Sequence, residues 1–155
     1  MALLEKHLYL KKSGLPNAGK GLFTKQDIPK GTVIVEYKGR ITTWDEIKHE
    51  DGKNGYLYYV NSKHVINAKP YVKALGRYAN DAMGRSRVDG LRNNAEYVEK
   101  NKRCFIKSTR KILKGQEIFV GYGREYWEMM KKLNEDGNGK SRALRRRSRE
   151  PGRKS

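Results

Sequence analysis

The chain is poor in cysteine, proline and acidic side chains: its 155 residues include one Cys, four Pro and only 17 Asp and Glu. The single thiol, Cys104, excludes an internal disulfide framework and a cysteine-based zinc cluster. A lone thiol suits a reducing, intracellular compartment. No apolar run reaches the roughly 20 residues of a membrane span, and the first twelve residues lack the apolar stretch of a signal peptide. Neither secretion nor membrane insertion is expected. His7, His49 and His64 stand apart, without metal-ligand spacing or an accompanying acidic cluster, so no metal site is expected. No Gly-x-Ser-x-Gly elbow occurs, and Cys104 sits inside a strand pattern as a buried filler, so hydrolytic nucleophile chemistry has no support.

Positive charge is what the chain has in excess. Lys and Arg number 35, for a formal net charge of +18, and hydrophobic residues make up only 36%. That composition predicts one domain with a modest core and a strongly polar surface. A basic balance points to polyanions such as nucleic acid or an acidic membrane surface, or serves solubility alone. Residues 138–155 hold eight Lys and Arg against one acid, Glu150, a net +7 that leaves +11 to residues 1–137. This stretch follows the breaker Asp136-Gly137-Asn138-Gly139 and buries too little apolar surface to offset its ordering entropy. The expected organisation is a folded domain over 1–136 and a basic, disordered tail over 137–155.

Within the domain, short β-branched and aromatic runs predict strands at 32–37, 56–60, 65–68, 103–108 and 117–120, with Asn61-Ser62-Lys63 as a hairpin loop. Thr43-x-x-Glu46 has the spacing of a capping box and predicts a short helix to about Glu50. Tyr126, Met129, Met130 and Leu133 lie three to four apart and predict a second helix over 125–133. Ile28-Pro29-Lys30-Gly31 and Ile112-Leu113-Lys114-Gly115 share the form Ile-x-Lys-Gly, an apolar anchor before a turn that feeds a strand. The class is mainly β.

Four strings carry chemistry when taken in order. Ala18-Gly19-Lys20-Gly21-Leu22-Phe23 is a Gly-x-Gly segment with no strand–helix unit behind it, so it is either a tight turn or a close backbone approach. Glu36-Tyr37-Lys38-Gly39, Arg77-Tyr78-Ala79-Asn80-Asp81-Ala82 and Glu117-Ile118-Phe119-Val120-Gly121-Tyr122-Gly123 follow. In this order the chain, from about His7 to Trp127, resembles the SET domain of protein lysine methyltransferases, in its minimal form without cysteine-rich zinc segments. Asp81 stands where the family usually has histidine, and Gly121 where an aspartate often precedes the tyrosine. An added carboxylate at 81 would favour a cationic cofactor.

The resemblance implies small β-clip-like sheets around a C-terminal pseudoknot. It further implies transfer of a methyl group from S-adenosyl-L-methionine to a lysine of a protein substrate, histone or histone-like proteins included. By the same resemblance Tyr122 is the central catalytic tyrosine, and Tyr37 and Tyr97 line the lysine channel. Cofactor contacts would come from the backbone of Lys20, Gly21 and Leu22, from Arg77 and Tyr78, and from Asn80, Asp81 and Trp127. The channel would be completed by the C-terminal segment or by a second subunit, as in a homodimer. A different class of reading is a catalytically impaired SET-like adaptor for chromatin or nucleic acid, which Asp81 and Gly121 favour. Since a basic substrate is repelled by a basic groove, the tail is expected to tether the enzyme to DNA or RNA. Glu46, Glu50 and Asp51 are then the acids expected at the lysine entrance.

Overall fold

The computed structural model describes residues 3–122 apart from 52, 85 and 86. In chain order it contains β1 (Leu8–Lys12), β2 (Lys20–Thr24), β3 (Val33–Glu36), β4 (Arg40–Thr42) and the one-turn helix α1 (Trp44–Ile47). Then come β5 (Leu57–Asn61), β6 (His64–Asn67), β7 (Ala95–Lys100), β8 (Arg103–Ser108) and β9 (Glu117–Ile118). They form three antiparallel three-stranded sheets, ordered β1-β2-β9, β3-β8-β7 and β4-β6-β5. The described residues divide into two compact units. The first takes those within Met1–Tyr37 and Lys73–Gly121, and the second those within Lys38–Val72 together with Tyr122. The expected helix over 125–133 and the boundary near 136 lie outside the described residues.

The first unit is organised by the two Ile-x-Lys-Gly strings, which pair with each other. Ile28 and Ile112 exchange both backbone hydrogen bonds, at 2.7 and 2.8 Å, and neither is exposed at all. The flanking bonds repeat with the same offset. Gly31 N donates to the Ser108 carbonyl and Gly115 N to that of Thr24, while Ser108 N donates to Thr32 and Thr24 N to Gln116. Gly31 and Gly115 adopt φ of 83° and 86°, the left-handed turn that glycine supplies without a Cβ penalty. One consequence is a local two-fold arrangement in which β2 pairs with β9 and β3 with β8. Leu22, Ile34, Ile106 and Ile118 are fully buried beside this junction.

After β9 the chain bonds to two earlier segments at once. Val120 N donates to the Asn80 carbonyl at 2.8 Å, and the Phe119 carbonyl accepts from Asn94 N and Ala95 N at 3.0 Å each. Both bridges, Asn80 to Phe119 and Ala95 to Val120, run parallel. This crossing is the pseudoknot-like feature expected of the fold.

Strand β7 is absent from the sequence-based expectation. Glu96, Glu99 and Lys100 point outward and dilute its β signal, while Ala95 and Tyr97 alternate inward. It meets β8 through Asn101 and Lys102, both at positive φ (53° and 66°), the geometry of a two-residue hairpin turn.

In the second unit Ile47, Leu57 and Val65 form a small core, with Trp44 packed edge-on to Tyr59 at 5.7 Å. Thr43 caps α1 as expected, its hydroxyl accepting from Glu46 N. Beyond Ile47 the predicted helix tightens into a 3-10 turn over Lys48–Glu50. Gly39 lies so close to the end of β6 that a Cβ there would stand 2.5 Å from the Asn67 carbonyl oxygen.

Truncating either paired isoleucine tests the junction. Ile28→Ala and Ile112→Ala should each cost about 2–5 kcal/mol in chemical denaturation. A loss below about 1 kcal/mol for both would show that the pairing does not organise the unit.

Candidate functional site

The Gly-x-Gly string begins where a loop closes on itself: Ser13 N donates to the Gly19 carbonyl at 2.8 Å, and Gly19 has φ of 69°. Leu15 anchors the loop in a small apolar cluster with Ala82 and Phe119. Lys20 then opens β2 with its side chain exposed, and Gly21 and Leu22 are buried. The string is therefore a loop closure followed by a strand, with its second glycine inside the strand.

Gly21 is required by its neighbour. The Glu117 carboxylate occupies the space a Cβ at 21 would fill. That carboxylate is buried and well supplied with donors: Ser13 Oγ reaches Oε2 at 2.7 Å and Gly14 N reaches Oε1 at 2.9 Å. Asn80 Nδ2 lies 3.4 Å from Oε2 and donates to the Lys20 carbonyl at 3.1 Å. Through its side chain and its carbonyl, Asn80 thus ties β2, β9 and Val120 together. Asn94 adds a second clamp, its Nδ2 donating to the Glu117 carbonyl at 3.0 Å and its Oδ1 accepting from Phe119 N at 2.8 Å.

Asp81 is buried next to this bracket. Its Oδ1 accepts from Met83 N and from Asn93 Nδ2, both at 2.9 Å, while Asn93 Oδ1 accepts from Ala82 N. The residue that departs from the family pattern therefore serves its own turn through Asn93. The other departure adjoins the same amide: a Cβ at Gly121 would stand 3.4 Å from Asn93 Nδ2. Arg77 lies over the Tyr78 ring, 5.2 Å from its centroid.

Of the three tyrosines expected to handle lysine, Tyr37 and Tyr97 meet edge-to-face at 5.7 Å, both buried. Tyr122 is buried as well, and Trp127 lies outside the described residues. Glu36, just before Tyr37, takes a two-point hydrogen bond from Arg103, at 3.1 Å from Nε and 2.7 Å from Nη2. The hydrogen bond to Glu36, and then its charge, raise the Arg103 pKa. A raised pKa on a cation means that its stabilisation is present below the ordinary arginine value and lost only above it, outside any working pH. The guanidinium is exposed, so solvent screens the pair.

The acids expected at a lysine entrance are less open than the sequence suggests. Glu46 is exposed, Glu50 is half-buried and accepts from Asn54 Nδ2 at 2.9 Å, and Asp51 is buried. No metal-binding group of His, Cys, Asp and Glu occurs among the described residues. Sequence reasoning missed the roles of Ser13, Asn93, Asn94 and Glu117. A charged residue opening the apolar run Ile118-Phe119-Val120 was the available signal for the last.

The fit of Gly21 to Glu117 yields a direct test. Gly21→Ala should destabilise the chain by about 1–3 kcal/mol through overpacking, and by clearly less when Glu117→Ala has already emptied that space. Equal costs in both backgrounds, measured by denaturation, would show that the two residues do not compete for one volume.

Comparison with known proteins matches residues 19–123 to the SET domain family. The chain is 30% identical over 142 residues to histone-lysine N-methyltransferase EZH2 of Chaetomium thermophilum, covering 84% of this chain and 9% of that protein. It is 28% identical over 135 residues to human histone-lysine N-methyltransferase 2D, covering 82% of this chain and 2% of that protein. The chain thus spans a small fraction of the length of these relatives. The solved methyltransferase domain of human PR domain-containing protein 2 shares the fold, with a TM-score of 0.54 and 23% identity across 76% of this chain and 77% of that one. The matched stretch takes in β2, the Asn80 bracket and β9, and on that evidence the chain belongs to the SET domain family.

Proposed function

We propose that this chain is a protein-lysine N-methyltransferase that uses S-adenosyl-L-methionine, with histones and histone-like proteins the substrates to test first. The observation that carries the reading is the Asn80 bracket, one amide joining the Gly-x-Gly strand to the segment that leads into Tyr122. Relatives named histone-lysine N-methyltransferases support it. The donor set suits the cofactor: a zwitterionic amino-acid end and a flat purine call for a cation, backbone polar groups and aromatic surface. Lys20, exposed at the start of β2, supplies the cation, and Arg77 with Tyr78 the flat surface. The backbone of Gly21 and Leu22, with Asn80 and Asp81, completes the set, and Trp127 is assigned to it by position.

The bound cofactor would supply an electrophilic methyl group on a positively charged sulfur. The chain's own residues have three tasks. A lysine amine has an ordinary pKa near about 10.4 and is charged at neutral pH, so the protein must favour its neutral form. Burial against aromatic surface does this by penalising the ammonium, and buried tyrosine rings such as Tyr37 and Tyr97 provide such surface. The Tyr122 hydroxyl orients the nitrogen lone pair toward the methyl carbon. Aromatic walls also exclude water from the reacting atoms.

A second reading, a SET-like adaptor for chromatin or nucleic acid without catalysis, is favoured by Asp81 and Gly121, since both depart from the family pattern, Asp81 in a hydrogen bond with Asn93 and Gly121 where a side chain would meet that amide. Cofactor titration by calorimetry separates the two, because a pure adaptor takes up none. For the enzyme reading, Tyr122→Phe should keep cofactor affinity and lower turnover by about 100-fold or more. Undiminished transfer of labelled methyl to a protein substrate by that variant would remove Tyr122 from the mechanism.

A further inference from the structure

The first unit contains a cavity of about 740 Å³ whose lining, among the described residues, includes none of those assigned to cofactor or lysine. Buried Phe23 and Phe119, with half-buried Leu91, give it an apolar floor. Five exposed cations give it a rim: Lys11 and Lys12 at the end of β1, Arg92 ahead of β7, and Arg110 and Lys111 after β8. Among the described residues none of the five is ion-paired with a carboxylate. Lys11 instead lies 4.6 Å above the Phe23 ring. Glu117 is the single acid among the described lining residues, and its carboxylate is already held by Ser13 and Gly14.

Three separate stretches of chain thus bring uncompensated positive charge to one concavity, where low-dielectric walls focus the field. We infer that this cavity is a binding site for single-stranded nucleic acid, distinct from the methyl-transfer machinery and independent of that reading. Each nucleotide brings both a charge and a planar apolar ring, matching a cationic rim over an apolar floor. An acidic peptide offers the charge without the ring, and a bilayer surface does not enter a concavity. The 138–155 segment, with eight Lys and Arg against one acid, is excluded by its own sign.

The test is fluorescence anisotropy of a labelled single strand of about 20 nucleotides with the full chain, titrated from about 50 to 200 mM salt. Arg92→Gln/Arg110→Gln/Lys111→Gln should flatten the log–log salt slope by about 2 and weaken binding roughly tenfold. The same loss should appear when Arg145, Arg146 and Arg147 have been replaced by Gln, which separates the cavity from the tail. Lys11→Gln/Lys12→Gln, on a different segment, should act in the same direction, and thermal melts verify that each variant folds. An unchanged slope and affinity in both cavity variants would overturn the inference. So would tighter binding, through the same side chains, of a glutamate-rich peptide or of phosphatidylserine vesicles.

Discussion

The first unit depends on one buried carboxylate. Glu117 enters β9 with its oxygens facing Ser13, Gly14 and Asn80, and its own carbonyl is taken by Asn94. A buried charge is tolerated only where donors replace its hydration. Here the donors to the carboxylate come from two distant parts of the chain, Ser13 with Gly14 and Asn80, so satisfying it requires both to be in place. Gly21 is the steric counterpart, because any side chain at that position would take the volume the carboxylate occupies. The motif glycine is thus a packing requirement as well as a local backbone feature.

Around this centre the two Ile-x-Lys-Gly turns supply a frame. Their mutual pairing delivers β2 to β9 and β3 to β8 with the same pattern of bonds on each side. The apolar anchors lie inside, and the glycines take the positive φ at the outside of each turn. The frame brings the Gly-x-Gly strand beside β9, and Asn80 then bonds to both. A chain with only 36% hydrophobic residues gains order from this junction because buried polar groups on it are specifically matched rather than merely covered.

Legibility in the sequence followed the range of the interaction. Thr43 with Glu46 is a local device, and the helix begins where the pair predicts. Strand β8 is dense in apolar and aromatic residues and lies where its composition places it. The Ile-x-Lys-Gly echo was readable as two similar strand entries, but their pairing with each other, 84 residues apart, was not. Strand β7 escaped because its outward residues are charged. Glu117 has no legible role within its motif, since its partner Ser13 is 104 residues away and no local pattern joins them. Asp81 reads in the sequence as charge offered to a cofactor, and the bonds of its Oδ1 to Asn93 and Met83 are encoded by no motif. The motif order was enough for the family, while roles at single positions depended on contacts that sequence spacing does not encode.

The two positive regions now have different standing. The 138–155 segment is a compositional feature of the sequence, whereas the rim of Lys11, Lys12, Arg92, Arg110 and Lys111 is assembled by the fold. The chemistry proposed for this SET-domain chain is transfer of a methyl group to lysine. Its most direct measurement incubates the full chain with methyl-labelled S-adenosyl-L-methionine and core histones or a whole-cell extract, then locates the label by mass spectrometry. Label on lysine side-chain nitrogens is the expected result. Cofactor bound without transfer to any protein, or no cofactor bound at all, would contradict it.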